Sequence, residues 1–416
     1  NKSNYTASKL SLGFRFLERQ LRKSYLFQSD SIELRFKNFE RIKLEPKKQG
    51  IAQLIVKDDL EKLKKLKLDF ILRFGFGILK GEILNLPNYG VWSFHHGNPE
   101  SFRGGPPSFW EFLKSENTNG LILQRLNEQL DAGEILRKGN IAIWKHSYIE
   151  HCNRLFNYGI DFPSWVCKSI RSNSGKLKSE PIIKKGPIYK TPSNWKVFLF
   201  YLRLIKGKLR FHYIQLFQGE IWNIGVANSI KRVGNRNEIK DIVWAAETEK
   251  GVYKADPFWG ENHKIYYESY DYRKLKGDIN CIQFENNNWS KESIFRSDKT
   301  HYSYPFYLEE NKRKYLLPEN FQAGKLSLYE IEDGEITSSK TLIEGDWIDP
   351  TLIEHNEKWW LFVTPQEQSN EELHLYFSDS LTGTYKTHPL NPVKIDISSA
   401  RPGGTPFFDV NGKLIR

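Results

Sequence analysis

Two adjacent histidines, His95 and His96, leave a β-type run and enter a Gly/Pro-rich turn, and Asp131 follows in an Asp-Ala-Gly turn. Histidine is the side chain whose ordinary pKa lies nearest neutrality, so it exchanges protons readily. A carboxylate beside it orients the ring and stabilises its charged form. Types and spacing therefore suggest proton transfer where loops leave a sheet, the usual place for ligands in open α/β folds. A histidine pair at a turn can equally be structural; Asp131 and the intervening Arg103-Gly104 turn favour chemistry.

The elements that must hold these residues alternate. Gly50–Val56 reads as a short strand, Asp58–Leu66 as a Lys/Glu-rich helix, and Asp69–Gly75 as a buried strand ending on glycine. Ile78–Leu84 reads as a short helix and Val91–His95 as the next strand, an alternation that predicts a parallel sheet with helices on its faces. Residues 9–29 have helical apolar spacing, and no strand with a glycine turn precedes Leu10, so this half reads as incomplete at its start. No methionine occurs in the chain, which points to further missing residues. From Tyr148 to Arg210 the pattern is helical and basic; we expect residues 148–215 to be a connecting helical segment packed on a neighbour, with peripheral membrane contact left open.

After Trp222 the texture changes to short aromatic strands carrying a repeat. Asp256-Pro257, Tyr304-Pro305, Asp349-Pro350 and Arg401-Pro402 recur at 48, 45 and 52 residues, and a strand beginning on lysine follows each. A period of roughly 40–50 residues with several strands each indicates β-propeller blades, five if Ile221–Val226 or residues beyond Arg416 complete the ring. We expect domains at 1–147 and 216–416 on either side of the helical segment.

A chain of 416 residues suits two domains, and 27% charged with 39% hydrophobic residues is a globular composition. No apolar run reaches the roughly 20 residues that span a bilayer. Three cysteines without Cys-x-x-Cys spacing argue against a disulfide framework or zinc site and for a reducing, cytoplasmic setting. The net charge of +12 suits anionic partners, though a Lys-rich solvated surface explains it as well. Dinucleotide, Walker, His-Glu-x-x-His and Gly-x-Ser-x-Gly motifs are absent, no metal site is expected, and the aromatics sit in strands rather than as base-stacking platforms.

Ile71–Leu79, Gly90–Pro107, Trp110, Asn119-Gly120 and Asp131–Leu136 together resemble the 10-formyltetrahydrofolate-dependent formyltransferases, over roughly residues 50–145. The family pattern is Asn-x-His, an Arg-Gly-x-x-Pro turn and an Asp-x-Gly; His95, Arg103-Gly104 with Pro107, and Asp131 match it in order. The resemblance implies a Rossmann-type α/β fold, His95 as catalytic base, Asp131 as its partner, and pterin contacts from Arg73, Phe76, Gly77, Ile78 and Leu79. Ser93 stands where the family has its oxyanion-holding Asn, and His96 where it usually has Pro. The family's tRNA-modifying members carry a different C-terminal domain, so nucleic acid is not an expected partner.

The second half resembles five-bladed glycoside hydrolase family 43-like domains, including those of glucosamine inositolphosphorylceramide transferases. That resemblance implies that Asp256, Glu319, Asp349 and Arg401 converge to bind or process a sugar. The combined expectation is N-formylation of a nucleotide- or lipid-linked amino sugar in surface-glycan biosynthesis. The rivals are a glycoside hydrolase or glycosyl-transfer enzyme with a degenerate first domain, and a non-catalytic glycan binder.

Overall fold

The computed structural model describes residues 12–21, 40–50, 52–233, 236–297 and 299–416, and the chain divides into two compact units, Asn1–Gln218 and Gly219–Arg416. The expectations for the chain before Leu10 and for 22–29 lie outside the described residues.

The first unit runs α1 (Leu12–Leu21), β1 (Lys47–Gln49), β2 (Ala52–Leu54), α2 (Lys57–Lys65), β3 (Ile71–Arg73), β4 (Ile78–Lys80), β5 (Val91–His95), β6 (Arg103–Gly104) and α3 (Phe109–Lys114). It continues through β7 (Thr118–Arg125), β8 (Glu134–Ala142), α4 (Tyr148–Gly159), α5 (Phe162–Ser172), β9 (Glu180–Pro181), β10 (Ile188–Tyr189) and α6 (Asn194–Phe217). The main sheet has the order β3-β5-β7-β8-β9. Only β3 and β5 are parallel, with Arg73 beside Ser93; β7, β8 and β9 each pair antiparallel. The expected all-parallel sheet is thus mixed, because after β5 the chain uses the six-residue α3 and returns antiparallel instead of crossing over. Ile78–Leu84 is not a helix either. Its first residues form β4, paired parallel to β2, and Gly81 at positive φ then turns the chain into a short 3₁₀ segment.

β7 is central, with Leu121, Ile122, Leu123 and Gln124 all buried, and α4 and α5 cover the sheet through Leu155, Trp165 and Val166. The region expected to be a connector is part of this unit. Val197 and Phe200 of α6 are buried with Leu17 of α1, Phe109 and Phe112 of α3, and Tyr148 and Cys152 of α4. A connecting helix packed on a neighbour is the expectation for this segment, and apolar residues at helical spacing on one face of α6 supply that packing.

The second unit begins with a hairpin, β11 (Gly225–Val233) and β12 (Arg236–Trp244). Three antiparallel sheets follow. The first comprises β13 (Val252–Trp259), β14 (Lys264–Asp271) and β15 (Lys276–Glu285), with β16 (Asn288–Trp289) and β17 (Ser293–Arg296) both on β15. The second is β18 (Ser303–Glu310), β19 (Arg313–Glu319), β20 (Lys325–Glu332) and β21 (Glu335–Glu344). The third is β22 (Trp347–His355), β23 (Lys358–Pro365) and β24 (Glu372–Ser378), edged by β25 (Lys386–Thr387) and β26 (Lys394–Ile395). A short hairpin, β27 (Phe407–Phe408) and β28 (Leu414–Ile415), closes the unit. Among the described residues the repeat therefore builds three complete sheets and two hairpins, not five full blades.

Each sheet opens alike. Asp256, Tyr304 and Asp349 have φ of 48°, 45° and 49°, and β-bulges fall at Ala255/Phe258, Ser303/Phe306 and Ile348/Thr351. Proline supplies no ladder N–H, so it fits at a bulge, and the left-handed residue before it is turned out of the ladder. One apolar cluster, including Phe258, Phe306, Leu316, Leu328, Leu352 and Leu361, runs through all three sheets.

Phe200 is fully buried and stacks on Phe109 with centroids 4.8 Å apart. Phe200→Ala should therefore destabilise the first unit by about 3–5 kcal/mol in urea unfolding; no measurable change would show that α6 is not part of this core.

Candidate functional sites

β5 ends the first site's main wall. His95 Nε2 lies 2.8 Å from the carbonyl oxygen of Phe102. A carbonyl only accepts, so this ring nitrogen carries the proton and Nδ1 keeps its lone pair. Nδ1 faces Asp131 Oδ2 at 3.7 Å. Asp131 sits at φ 44°, and its Oδ2 accepts from Gly104 N at 2.9 Å. Gly104 is also the only residue type that fits: a Cβ there would lie 2.1 Å from the Tyr189 carbonyl oxygen, across the β6–β10 pairing. Arg103 ties the same turn down, donating from Nε to Gly186 O (2.7 Å) and from Nη1 to Leu130 O (3.2 Å). The Arg-Gly turn is thus a brace that holds the carboxylate in front of the histidine.

The pair opens on a cavity of about 310 Å³ lined also by Arg73, Ile78, Leu79, Leu126, Asn127 and Gln129. An adjoining cavity of about 480 Å³ is mostly apolar, lined by Phe74, Phe156 and Ile160 among others, and shares Arg73, Phe94 and His96 with the first. His96 packs edge-on to Phe156 at 4.3 Å, and burial, then the neighbouring His95, pushes its pKa down to about 3. It stays neutral across the physiological range, and of the two rings it is His95 that faces Asp131.

The structure brings His95 and Asp131 together and sets Arg73, Ile78 and Leu79 on the same cavity. Phe76 and Gly77 take other roles. Phe76 O accepts from Arg73 Nη2 (2.6 Å), and Gly77 N donates to Gln53 Oε1 (2.7 Å). Ser93, expected beside the reacting centre, lines the neighbouring cavity, where its hydroxyl accepts from Arg73 Nη1 at 2.8 Å. Asn127 and Gln129 were not anticipated; their only sequence signal is position just before the Asp131 turn.

In the second unit the three left-handed residues and their cross-strand neighbours form a buried polar cluster. Register places Glu268 opposite Ala255, Glu319 opposite Ser303 and Thr364 opposite Ile348, the same station in each sheet. Glu319 Oε2 accepts from Asp349 N at 3.1 Å, tying the second sheet to the third. Arg401 donates to Asp349 through Nε and, at 3.3 Å, through Nη2, while its Nη1 reaches Asn370 Oδ1 at 3.3 Å. The Tyr304 hydroxyl accepts from Gly404 N (3.0 Å) and meets Thr351 Oγ1 at 3.1 Å. His301 Nδ1 accepts from Gly277 N at 2.8 Å, so its protonated Nε2 faces Glu268 Oε1 at 3.8 Å.

Burial and mutual repulsion raise the acids. Asp256 is pushed up to about 6, by burial and then by Asp349. Glu268 reaches about 9 and Glu319 about 8, again mainly through burial and then the neighbouring carboxylates. Burial raises Asp349 too, against the opposing pull of Arg401. Burial works against the Arg401 charge, yet its bond to Asp349 leaves its pKa raised. Acids held protonated beside an ionisable Asp256 can donate to sugar oxygens or divide acid and base roles. Asp256, Glu319, Asp349 and Arg401, all anticipated, do meet here. Glu268 was missed: it lies four residues after Lys264 whereas Glu319 lies five after Lys314, so only register shows their equivalence. Among the described residues, no group of three or more His, Cys, Asp or Glu side chains is arranged to hold a metal ion.

Residues 222–416 match the family model described as glucosamine inositolphosphorylceramide transferase 1, N-terminal. The chain is 29% identical over 190 residues to glucosamine inositolphosphorylceramide transferase 1 of Oryza sativa subsp. japonica, covering 42% of this chain and 26% of that protein. It is 36% identical over 92 residues to methionyl-tRNA formyltransferase of Clostridium beijerinckii, covering 21% of this chain and 30% of the relative. It thus spans under a third of the length of either. The solved formyltransferase PseJ from Anoxybacillus kamchatkensis superposes with a TM-score of 0.26 at 22% identity, over 34% of this chain and 77% of that one.

Above pH 4 to 5 the unfolded acids ionise while Asp256, Glu319 and Glu268 stay protonated in the fold. Their contribution to stability is complete below that range and is lost as pH rises through about 6, 8 and 9. Thermal unfolding should therefore show the second unit weakening from pH 5 to 9, and Glu319→Gln should flatten the slope. A stability that rises with pH would contradict the protonation scheme.

The chain thus carries two similarities, one to methionyl-tRNA formyltransferase and one, over residues 222–416, to the glucosamine inositolphosphorylceramide transferase 1 N-terminal family model.

Proposed function

We propose that the protein is an N-formyltransferase that modifies an amino sugar, nucleotide-linked or lipid-linked, with 10-formyltetrahydrofolate as donor. The observation that carries this reading is His95: its Nε2–H is fixed on the Phe102 carbonyl while Nδ1 faces Asp131 across an open cavity. The donor supplies an electrophilic formyl carbon. Ile78, Leu79 and Leu126 give apolar walls for a flat heterocycle, and Asn127 and Gln129 give polar side chains for its edge, so the lining suits the group. His95 Nδ1 would accept the proton that the attacking amine sheds, Asp131 would pair with the resulting imidazolium, and that proton would pass to the donor nitrogen as its bond to the formyl carbon breaks and tetrahydrofolate leaves. The rice relative's name couples glucosamine to a lipid, which favours an amino-sugar acceptor in glycan assembly. In this reading the second unit is a five-bladed propeller, with the two hairpins as its partial blades, and Asp256, Glu319, Asp349 and Arg401 bind the glycan. A cytoplasmic setting suits the folate donor.

A second reading rests on the buried carboxyl cluster, whose separated pKa values suit glycosyl hydrolysis or transfer with Asp256 as base and Glu268 or Glu319 as acid.

Incubated with 10-formyltetrahydrofolate and nucleotide-linked amino sugars, the full chain should yield a formamido sugar, and His95→Ala should abolish the product. Ser93→Ala should slow transfer by less than about tenfold, because losing a true oxyanion donor costs about 10²–10³. Absence of turnover, together with no folate binding by calorimetry, defeats the formyl reading. Sugar release that Asp256→Asn removes would establish the second one.

A further inference from the structure

Helix α6 is apolar on two opposite faces. Val197, Phe200, Leu204, Gly207 and Phe211 recur at spacings of three and four and lie against the first unit. The approach there is close as far as Phe211: a Cβ on Gly207 would lie 2.1 Å from the Lys145 carbonyl oxygen, and Phe211 stacks on His146 at 3.9 Å. The opposite stripe, Trp195, Phe198, Leu202, Ile205, Leu209, Tyr213 and Leu216, has the same spacing half a turn away. It is open, with Trp195 64% and Leu209 67% exposed. An apolar stripe of this length on a water-soluble surface needs a partner.

The charge around the stripe says which. Between Glu180 and Glu220 there is no acidic residue, against eight lysines and arginines. On the helix itself, Lys206, Lys208 and Arg210 are exposed and lie between the two apolar faces. A protein groove would as a rule offer some acid to an acid-free helix; a bilayer with anionic headgroups offers phosphate to every cation and hydrocarbon to the stripe between them. The helix is not apolar enough to cross a membrane. Trp, Tyr and Phe beside Lys and Arg suit the boundary between headgroups and acyl chains.

We propose that α6 docks the protein in the plane of an anionic membrane surface, its outer stripe in the acyl boundary and its cations on lipid headgroups. The inner face stays on the first unit, so docking needs no unfolding. This inference stands apart from the formyl reading, since it uses no residue of either site.

Flotation of the full chain with vesicles tests it. Phosphatidylcholine vesicles containing about one third phosphatidylglycerol should carry the protein up, pure phosphatidylcholine vesicles much less, and high salt should release it. Leu202→Ser/Leu209→Ser should lose roughly tenfold or more of the partitioning with an unchanged melting temperature, both positions being exposed. Lys206→Glu/Arg210→Glu should lose binding to anionic vesicles alone. No flotation, or flotation that the leucine variant retains, overturns the proposal. So does a dimer in solution that the leucine variant dissolves while no vesicle binding is found, which would make a second copy of the chain the partner.

Discussion

A left-handed backbone at non-glycine residues underlies both candidate sites. Asp131, Asp256, Tyr304 and Asp349 all have φ between 44° and 49°. For such residues the conformation costs about 1–2 kcal/mol each, so the surroundings must hold it. The support is visible at three of the four: Gly104 N grips Asp131, the Asp349 amide is tied to Glu319, and Gly404 N reaches Tyr304. In return each side chain is turned off the line its strand or turn would otherwise give it. Released from that geometry, Asp131 would no longer face His95, and the three sheet-opening residues would rejoin the alternation of their strands.

The two sites use burial differently. In the first, a carbonyl fixes one nitrogen of His95, and only the far side of the ring is left to the cavity. In the second, burial itself does the tuning. Four carboxyls share a space with one guanidinium, and the cheaper solution is to keep protons on Glu268 and Glu319. That leaves the cluster rich in hydrogen-bond donors at neutral pH.

Helix α6 shows why composition misleads about placement. Its charge pattern alone fits a helix on a membrane or on a neighbour, and a stripe of small and apolar residues anchors one side in the unit's core. The opposite stripe satisfies the same spacing rule and faces outward. Periodicity identifies both faces but does not say which one the fold covers; that follows from where α1, α3 and α4 have room for it.

Much was legible beforehand, and for local reasons. The run of β5 into His95, the Arg-Gly turn and the Asp-Ala-Gly turn are contiguous motifs, and the X-Pro repeat reveals its sheets because each bulge needs its proline at the same station. What could not be read depends on contacts distant in the chain. The antiparallel return after β5, the withdrawal of Ser93 to Arg73 and the equivalence of Glu268 with Glu319 are matters of strand direction and register. A one-residue difference in spacing hides such an equivalence along a line of letters. Across a paired sheet the hydrogen-bond ladder restores it, because the ladder aligns residues by their place in the pleat and not by their distance along the chain.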